Sequence, residues 1–83
     1  MGLFHTDHNP EIPAQFDAII NAGTTETESQ FLDSLNEIVK LVEVEDSYST
    51  NAKLKIYELL SQLANCSPSE RGRYAGKIRK LLQ

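Results

Sequence analysis

Apolar residues recur at helical spacing in four segments of this chain, and polar links separate the segments. Recurrence at steps of three and four residues places apolar side chains on one face of a helix. No segment shows the alternation of polar and apolar residues that is typical of a strand. The pattern therefore predicts an all-α fold, a compact and roughly up-down bundle of four helices.

The predicted helices span approximately residues 10–22, 26–45, 51–65 and 68–82. Their apolar stripes are Ile12, Phe16, Ile19 and Ile20; Phe31, Leu35, Ile38 and Val42; Ala52, Ile56, Leu59, Leu63 and Cys66; and Tyr74, Ile78, Leu81 and Leu82.

Capping residues mark the end of the first predicted helix and the start of the second. Gly23 follows the first stripe, where a left-handed glycine commonly terminates a helix. Thr25 stands three residues before Glu28, and Thr27 stands three residues before Gln30. Both pairs fit the capping box, in which the hydroxyl and the later polar side chain bind each other's backbone N–H groups. The second helix begins at one of these two threonines.

The later links also carry local signals. Residues 47–51, which include Tyr48, form a polar connection between the second and third helices. The run Ser67-Pro68-Ser69-Glu70 supplies a hydroxyl for the N-cap, a proline for the first turn and a reciprocal glutamate. It predicts a side-chain cap on the fourth helix.

The length of the chain bounds its organisation. Eighty-three residues suffice for one small domain. Residues 1–8 show no apolar period and are predicted to form a flexible N-terminal arm, followed by a single helical domain over residues 9–83. No apolar run approaches the roughly 20 residues of a membrane span. The single cysteine, Cys66, forms no internal disulfide and suits a reducing compartment, so we expect a cytoplasmic protein.

Acids and bases are divided between the two halves of the chain. Residues 1–47 carry ten acids and one base, Lys40, whereas residues 48–83 carry two acids and seven bases. The formal charge is therefore −9 for the first half, +5 for the second half and −4 for the whole chain. On the fourth helix Arg73, Lys77 and Lys80 stand at i, i+4 and i+7 and form one basic stripe. Such a stripe is either a solvated face or a surface that attracts an acidic partner. The acidic total and the lack of a known binding motif argue against nucleic acid.

Some apolar residues are not needed by the bundle. Leu41 and Val44 lie away from the main stripe of the second helix, and Leu54 lies opposite that of the third, with Tyr57 near it. If they form one patch, this patch marks a partner surface or the interface of a homodimer.

The tripeptide Asp33-Ser34-Leu35 resembles the attachment motif of the acyl carrier proteins. This resemblance implies a phosphopantetheine arm on Ser34, at the start of a helix. Phe31 stands two positions before the aspartate, where the family has a small residue.

Other chemistry is sparse. His5, Asp7 and His8 are potential metal ligands, but a structural zinc site needs about four that converge. Cys66 completes an apolar stripe, which favours a core thiol over a nucleophile. We find no nucleophile–base pair, paired carboxylates or phosphate-binding loop, and we expect neither an enzyme nor a bound metal or cofactor.

The sequence therefore predicts a non-enzymatic protein–protein interaction module, an adaptor, inhibitor or regulator. Two other functions stay open: a carrier domain that uses Ser34, and a nucleic-acid accessory protein that uses the basic last helix. The residues predicted to contact a partner are Leu41, Val44, Leu54, Tyr57, Arg73, Lys77 and Lys80.

Overall fold

A computed structural model describes residues 10–23 and 27–83. These residues form four α-helices and, within the described ranges, no strand, which confirms the predicted all-α class. The predicted N-terminal arm, residues 1–8, lies outside the described residues. The helices are α1 (Glu11–Ala22), α2 (Glu28–Val44), α3 (Thr50–Asn65) and α4 (Arg71–Leu82), and a 3₁₀ turn (Pro68–Glu70) leads into α4.

The four helices form a closed ring. Helix α1 packs against α2 and α4, and α3 packs against the same two helices. Every helix therefore has both of its ring neighbours in contact, which is the arrangement of a four-helix bundle. The described part of the molecule measures 41 × 21 × 21 Å. None of the described helices combines the length and the apolar character needed to cross a membrane.

The apolar stripes meet inside this ring. Each helix contributes fully buried side chains, among them Phe16, Phe31, Leu63 and Ile78. Residues at the edges of the stripes are only partly buried and pack against the core from outside: Ile19, Ile20, Ala52, Cys66, Tyr74 and Leu81. The residues that the helical period placed on the stripes thus form the core. The partly buried residues at the stripe edges can supply apolar surface to a groove between two helices.

Tyr48 departs from the prediction that the α2–α3 link is simply polar. Its side chain is buried, with 4% of its surface exposed. Its hydroxyl donates a hydrogen bond of 2.6 Å to the carbonyl oxygen of Leu82 at the end of α4. Burial of the ring stabilises the fold because it removes apolar surface from water, and the hydrogen bond satisfies the phenol hydroxyl. An aromatic residue in a polar run thus becomes part of the core.

The start of α2 uses the second of the two possible capping boxes. Thr27 Oγ1 accepts a hydrogen bond of 3.2 Å from the Gln30 N–H, and Gln30 Oε1 accepts one of 3.0 Å from the Thr27 N–H. The predicted side-chain cap at Ser67 does not form. Ser67 Oγ instead donates to Glu70 Oε1 at 3.2 Å, because the chain makes a 3₁₀ turn before α4 begins.

Gly23 serves a different purpose from the one that its position suggests. Its φ is −61°, so the predicted left-handed termination of α1 is wrong. Gly23 is buried, and a Cβ at this position would stand 3.0 and 3.1 Å from two ring carbons of Phe31. A larger residue here would press on the Phe31 ring, so glycine suits the close approach between the end of α1 and the start of α2.

Candidate functional site

A cleft of about 500 Å³ runs between α3 and α4 on the surface of the bundle. Its volume lies within the range of ligand-binding clefts, roughly 300–1,000 Å³. Three of the residues that form it are lysines, drawn from both helices. The lining residues are Lys55, Glu58, Leu59, Gln62, Lys77, Lys80 and Leu81.

The cleft has an apolar floor of two leucines. Leu59 comes from the stripe of α3 and Leu81 from that of α4, and both pack with the core. Leu59 is buried, with 5% of its surface exposed, so the apolar surface that these two residues offer to the cleft belongs mainly to the partly buried Leu81. The floor is a direct consequence of the helical period, because both leucines belong to the predicted stripes.

The lysines above this floor are weakly engaged. Lys55 Nζ lies 3.4 Å from Glu58 Oε1, and both side chains are more than half exposed, so this ion pair contributes about 0–1 kcal/mol. Lys77 and Lys80 make no ion pair with an acid of the described residues. Lys77 Nζ lies 5.8 Å from the centre of the Tyr74 ring. The three lysines and one glutamate leave the cleft with a formal charge of +2.

The other bases of α4 are held elsewhere. Arg73 pairs with Glu70 at 2.9 Å, and Arg79 pairs with Asp17 of α1 at 3.1 Å. The guanidinium of Arg71 stacks 4.2 Å above the centre of the Phe31 ring and donates to the Gly23 carbonyl at 3.5 Å. The predicted stripe of Arg73, Lys77 and Lys80 is thus divided, since Lys77 and Lys80 line the cleft and Arg73 does not.

A second groove, of about 350 Å³, runs between α2 and α3. Leu35 and Leu60 are buried at its base, and Leu32 is 37% exposed on its rim. The same two helices are joined by a hydrogen bond of 2.8 Å, which Lys53 Nζ donates to the Glu43 carbonyl oxygen. The residues that line this groove are Leu32, Leu35, Asn36, Val39, Tyr57, Leu60, Ser61 and Ala64.

Tyr57 is the one predicted patch residue that lines this groove. Burial raises the pKa of its phenol, and the nearby carboxylate of Glu43 raises that pKa further. The carboxylate of Glu43 therefore lies near Tyr57.

The remaining predicted patch residues differ in exposure. Val44 and Leu54 are exposed, with 75% and 60% of their surface accessible. Leu41 is partly buried and packs against the core. Leu41 also stands about 200° around the helix from Val39, which lines the groove. Neither this groove nor the α3–α4 cleft is lined by Leu41, Val44 or Leu54.

The residues singled out for covalent or metal chemistry are placed as follows. Ser34 is partly buried inside α2, seven residues after the N-cap Thr27, whereas the carrier resemblance implies a serine at a helix start. Cys66 ends α3, and its thiol donates to the Leu63 carbonyl at 3.3 Å. His5, Asp7 and His8 lie outside the described residues. Over residues 10–23 and 27–83 no group of three or more acidic, histidine or cysteine side chains could hold a metal ion.

Sequence reasoning missed two parts of the cleft, Lys55 and the pairing of Leu59 with Leu81. The helical spacing of α3 was the signal that could have found this wall of the cleft, because steps of three and four place on one face Lys55, Glu58, Leu59 and Gln62.

Comparison of the chain with models of protein families, with curated proteins and with solved structures finds no match.

Proposed function

We propose that this chain is a small protein–protein interaction module of the adaptor, inhibitor or regulator type, and that the α3–α4 cleft is its docking surface. The observation that carries the proposal is the composition of this cleft. Two leucines form its floor, and lysines stand on both walls. Protein interfaces commonly combine such an apolar centre with a charged rim.

The apolar floor favours a protein segment over nucleic acid. Leu81, which is only partly buried, gains free energy when apolar side chains cover it, and a phosphate backbone supplies none. A surface for single-stranded nucleic acid also uses aromatic side chains on which bases stack. No aromatic or arginine side chain lines the cleft.

The distribution of charge also supports the α3–α4 cleft as the docking surface. Exposed acids of α2, among them Asp33, Glu37 and Glu43, lie on the helix diagonally across the ring from α4. Their field repels an acidic partner, while Lys77 and Lys80 attract it. Such an arrangement steers an encounter toward one side of a small protein.

Site-specific photocrosslinking in the organism that encodes the chain tests this proposal. We would replace Gln62, an uncharged and exposed residue of the cleft, with p-benzoylphenylalanine, and in a control Lys40, an exposed residue of α2. We expect a discrete protein adduct from position 62 and none from position 40. Lys77→Glu in the same chain should abolish the adduct, and mass spectrometry should identify the crosslinked segment.

Two outcomes would contradict the proposal. The first is the absence of any protein adduct from position 62 when the chain is expressed and folded. The second is an adduct to nucleic acid that Lys77→Glu abolishes, which would assign the lysines to a nucleic-acid accessory role.

A further inference from the structure

We infer that the α3–α4 cleft binds an acidic amphipathic helix of its partner. This inference rests on the proposed function and names the chemistry of the segment that docks. Three observations carry it: the shape of the cleft, the positions of its lysines and the charge of the rest of the molecule.

The shape of the cleft suits a helix. It lies between two packed helices, and its floor consists of one leucine from each of them. A third helix that lies along such a groove inserts one row of apolar side chains between its neighbours. Residues at i, i+3, i+4 and i+7 of the partner would form this row, because they share one face of a helix.

The lysines define what flanks the apolar row. Lys77 and Lys80 stand one helical turn apart on the α4 wall, and Lys55 stands on the α3 wall. A rise of 1.5 Å per residue separates Lys77 and Lys80 by about 4.5 Å along the axis. Two acids one turn apart on the partner match this separation, and a third acid on its opposite flank meets Lys55. The partner segment is therefore acidic along both edges of its apolar face.

The existing ion pair in the cleft does not block this arrangement. Glu58 is exposed, and its 3.4 Å contact with Lys55 is long for a charged hydrogen bond. Lys55 can exchange Glu58 for a partner carboxylate at little energetic cost, since exposed pairs are weak. Lys77 and Lys80 need no exchange, because they have no acidic partner within the described residues.

A labelled peptide titrated with the full chain tests the inference. The probe is a fluorescein-labelled helix of about 16 residues with leucines at i, i+3, i+4 and i+7 and glutamates on both flanks. One control peptide carries lysines in place of the glutamates, and another carries serines in place of the leucines. Fluorescence anisotropy reports affinity, and amide chemical shifts of the protein report where the peptide binds.

We expect the acidic peptide to bind at least 10-fold more tightly than either control peptide. Shift changes should map to α3 and α4. Lys80→Glu should weaken binding by about 10-fold or more, since it replaces attraction by repulsion. Lys40→Glu makes the same change of charge on α2 and should alter affinity by less than about 2-fold.

Other outcomes overturn the inference. It fails if the acidic and basic peptides bind equally, if the shifts map to the α2–α3 groove, or if Lys80→Glu and Lys40→Glu have equal effects. It also fails if a single-stranded oligonucleotide of similar length displaces the acidic peptide. A crosslinked partner segment that lacks acids would overturn the helix chemistry and leave the proposed function standing.

Discussion

Tyr48 shows how one side chain can join distant parts of a small bundle. It lies in the link between α2 and α3, and its hydroxyl reaches the Leu82 carbonyl at the end of α4, 2.6 Å away. A tyrosine in a run of serine, threonine and asparagine is expected to be exposed with its neighbours. Its burial depends on the nearby end of α4, which the local sequence does not reveal.

We expect Tyr48→Phe to lower the free energy of unfolding by about 1 kcal/mol at pH 7, because the ring stays buried and one hydrogen bond is lost. Urea denaturation followed by circular dichroism measures this loss. Tyr57→Phe is the matched control and should change stability by less than about 0.5 kcal/mol, since Tyr57 lies on the surface groove. Equal effects of the two substitutions would contradict a stabilising role for the Tyr48 hydroxyl.

The buried phenol of Tyr48 also predicts a pH dependence. Burial raises the pKa of this phenol above its usual value of 10.0, and the carboxylate of Glu45 raises it further. The folded state therefore holds this proton more tightly than the unfolded state. The resulting stability is present below about pH 10 and is lost as the pH rises through the folded-state pKa. The stability difference between the native chain and Tyr48→Phe should shrink above pH 10, and a constant difference up to pH 11 would contradict this account.

Substitution by alanine is expected to change the stability of the fold in opposite directions at two glycines. A Cβ on Gly23 would lie 3.0 Å from the Phe31 ring, whereas a Cβ on Gly76, within α4, meets nothing within 4 Å. We expect Gly23→Ala to destabilise the fold by about 1–3 kcal/mol through overpacking. Gly76→Ala should stabilise it by about 0.5–1 kcal/mol through helix propensity. Thermal unfolding of the two variants measures both signs, and stabilisation by Gly23→Ala would contradict the packing explanation.

Gly72 and Gly76 bear on how α4 is stabilised. Their spacing of four residues is compatible with the close approach of another helix or with a last helix of low intrinsic stability. A Cβ on either glycine would meet no side chain and no other helix of the described residues within 4 Å. No described helix packs closely over these glycines, so α4 depends on its buried face for stability.

Helices α2 and α3 begin at side-chain caps, and this part of the fold was largely predictable from sequence. The predicted helix over residues 26–45 became Glu28–Val44, and that over residues 51–65 became Thr50–Asn65. The choice between Thr25 and Thr27 was not predictable, because both fit the same box. Ser49 caps α3 by accepting from the Ala52 N–H at 3.1 Å, in the predicted polar link between α2 and α3.

Thr27 and Ser67 provide a test of capping. Thr27 binds the Gln30 N–H, whereas Ser67 makes no side-chain bond to a helix N–H. Thr27→Ala should destabilise the protein by about 1 kcal/mol, and Ser67→Ala should have an effect below about 0.5 kcal/mol. Chemical denaturation compares them, and a larger loss for Ser67→Ala would show that the Ser67–Glu70 contact outweighs the capping box.

The molecule as a whole keeps its charges apart. The pairs Lys55–Glu58 and Arg73–Glu70 each join residues three apart in the sequence, and Arg79–Asp17 joins α4 to α1. Few of the acids on α2 are thus neutralised by bases of α3 and α4 in the described structure. The bundle therefore presents an acidic side and a lysine-lined cleft, and this polarity underlies the proposed recognition of an acidic helix.

The sequence by itself determined the helices, the core stripes and the division of charge, because each follows from local spacing or from counting. It also identified Lys77 and Lys80 as neighbours on one helix. Only the tertiary structure decided which helices are adjacent, and so which side chains share a surface. Packing of α3 against α4 placed Lys55 and Leu59 beside Lys77, and packing at the ends of α1 and α2 made Gly23 a contact residue. Such contacts join positions far apart in the chain, and they form only when the apolar faces of all four helices pack together.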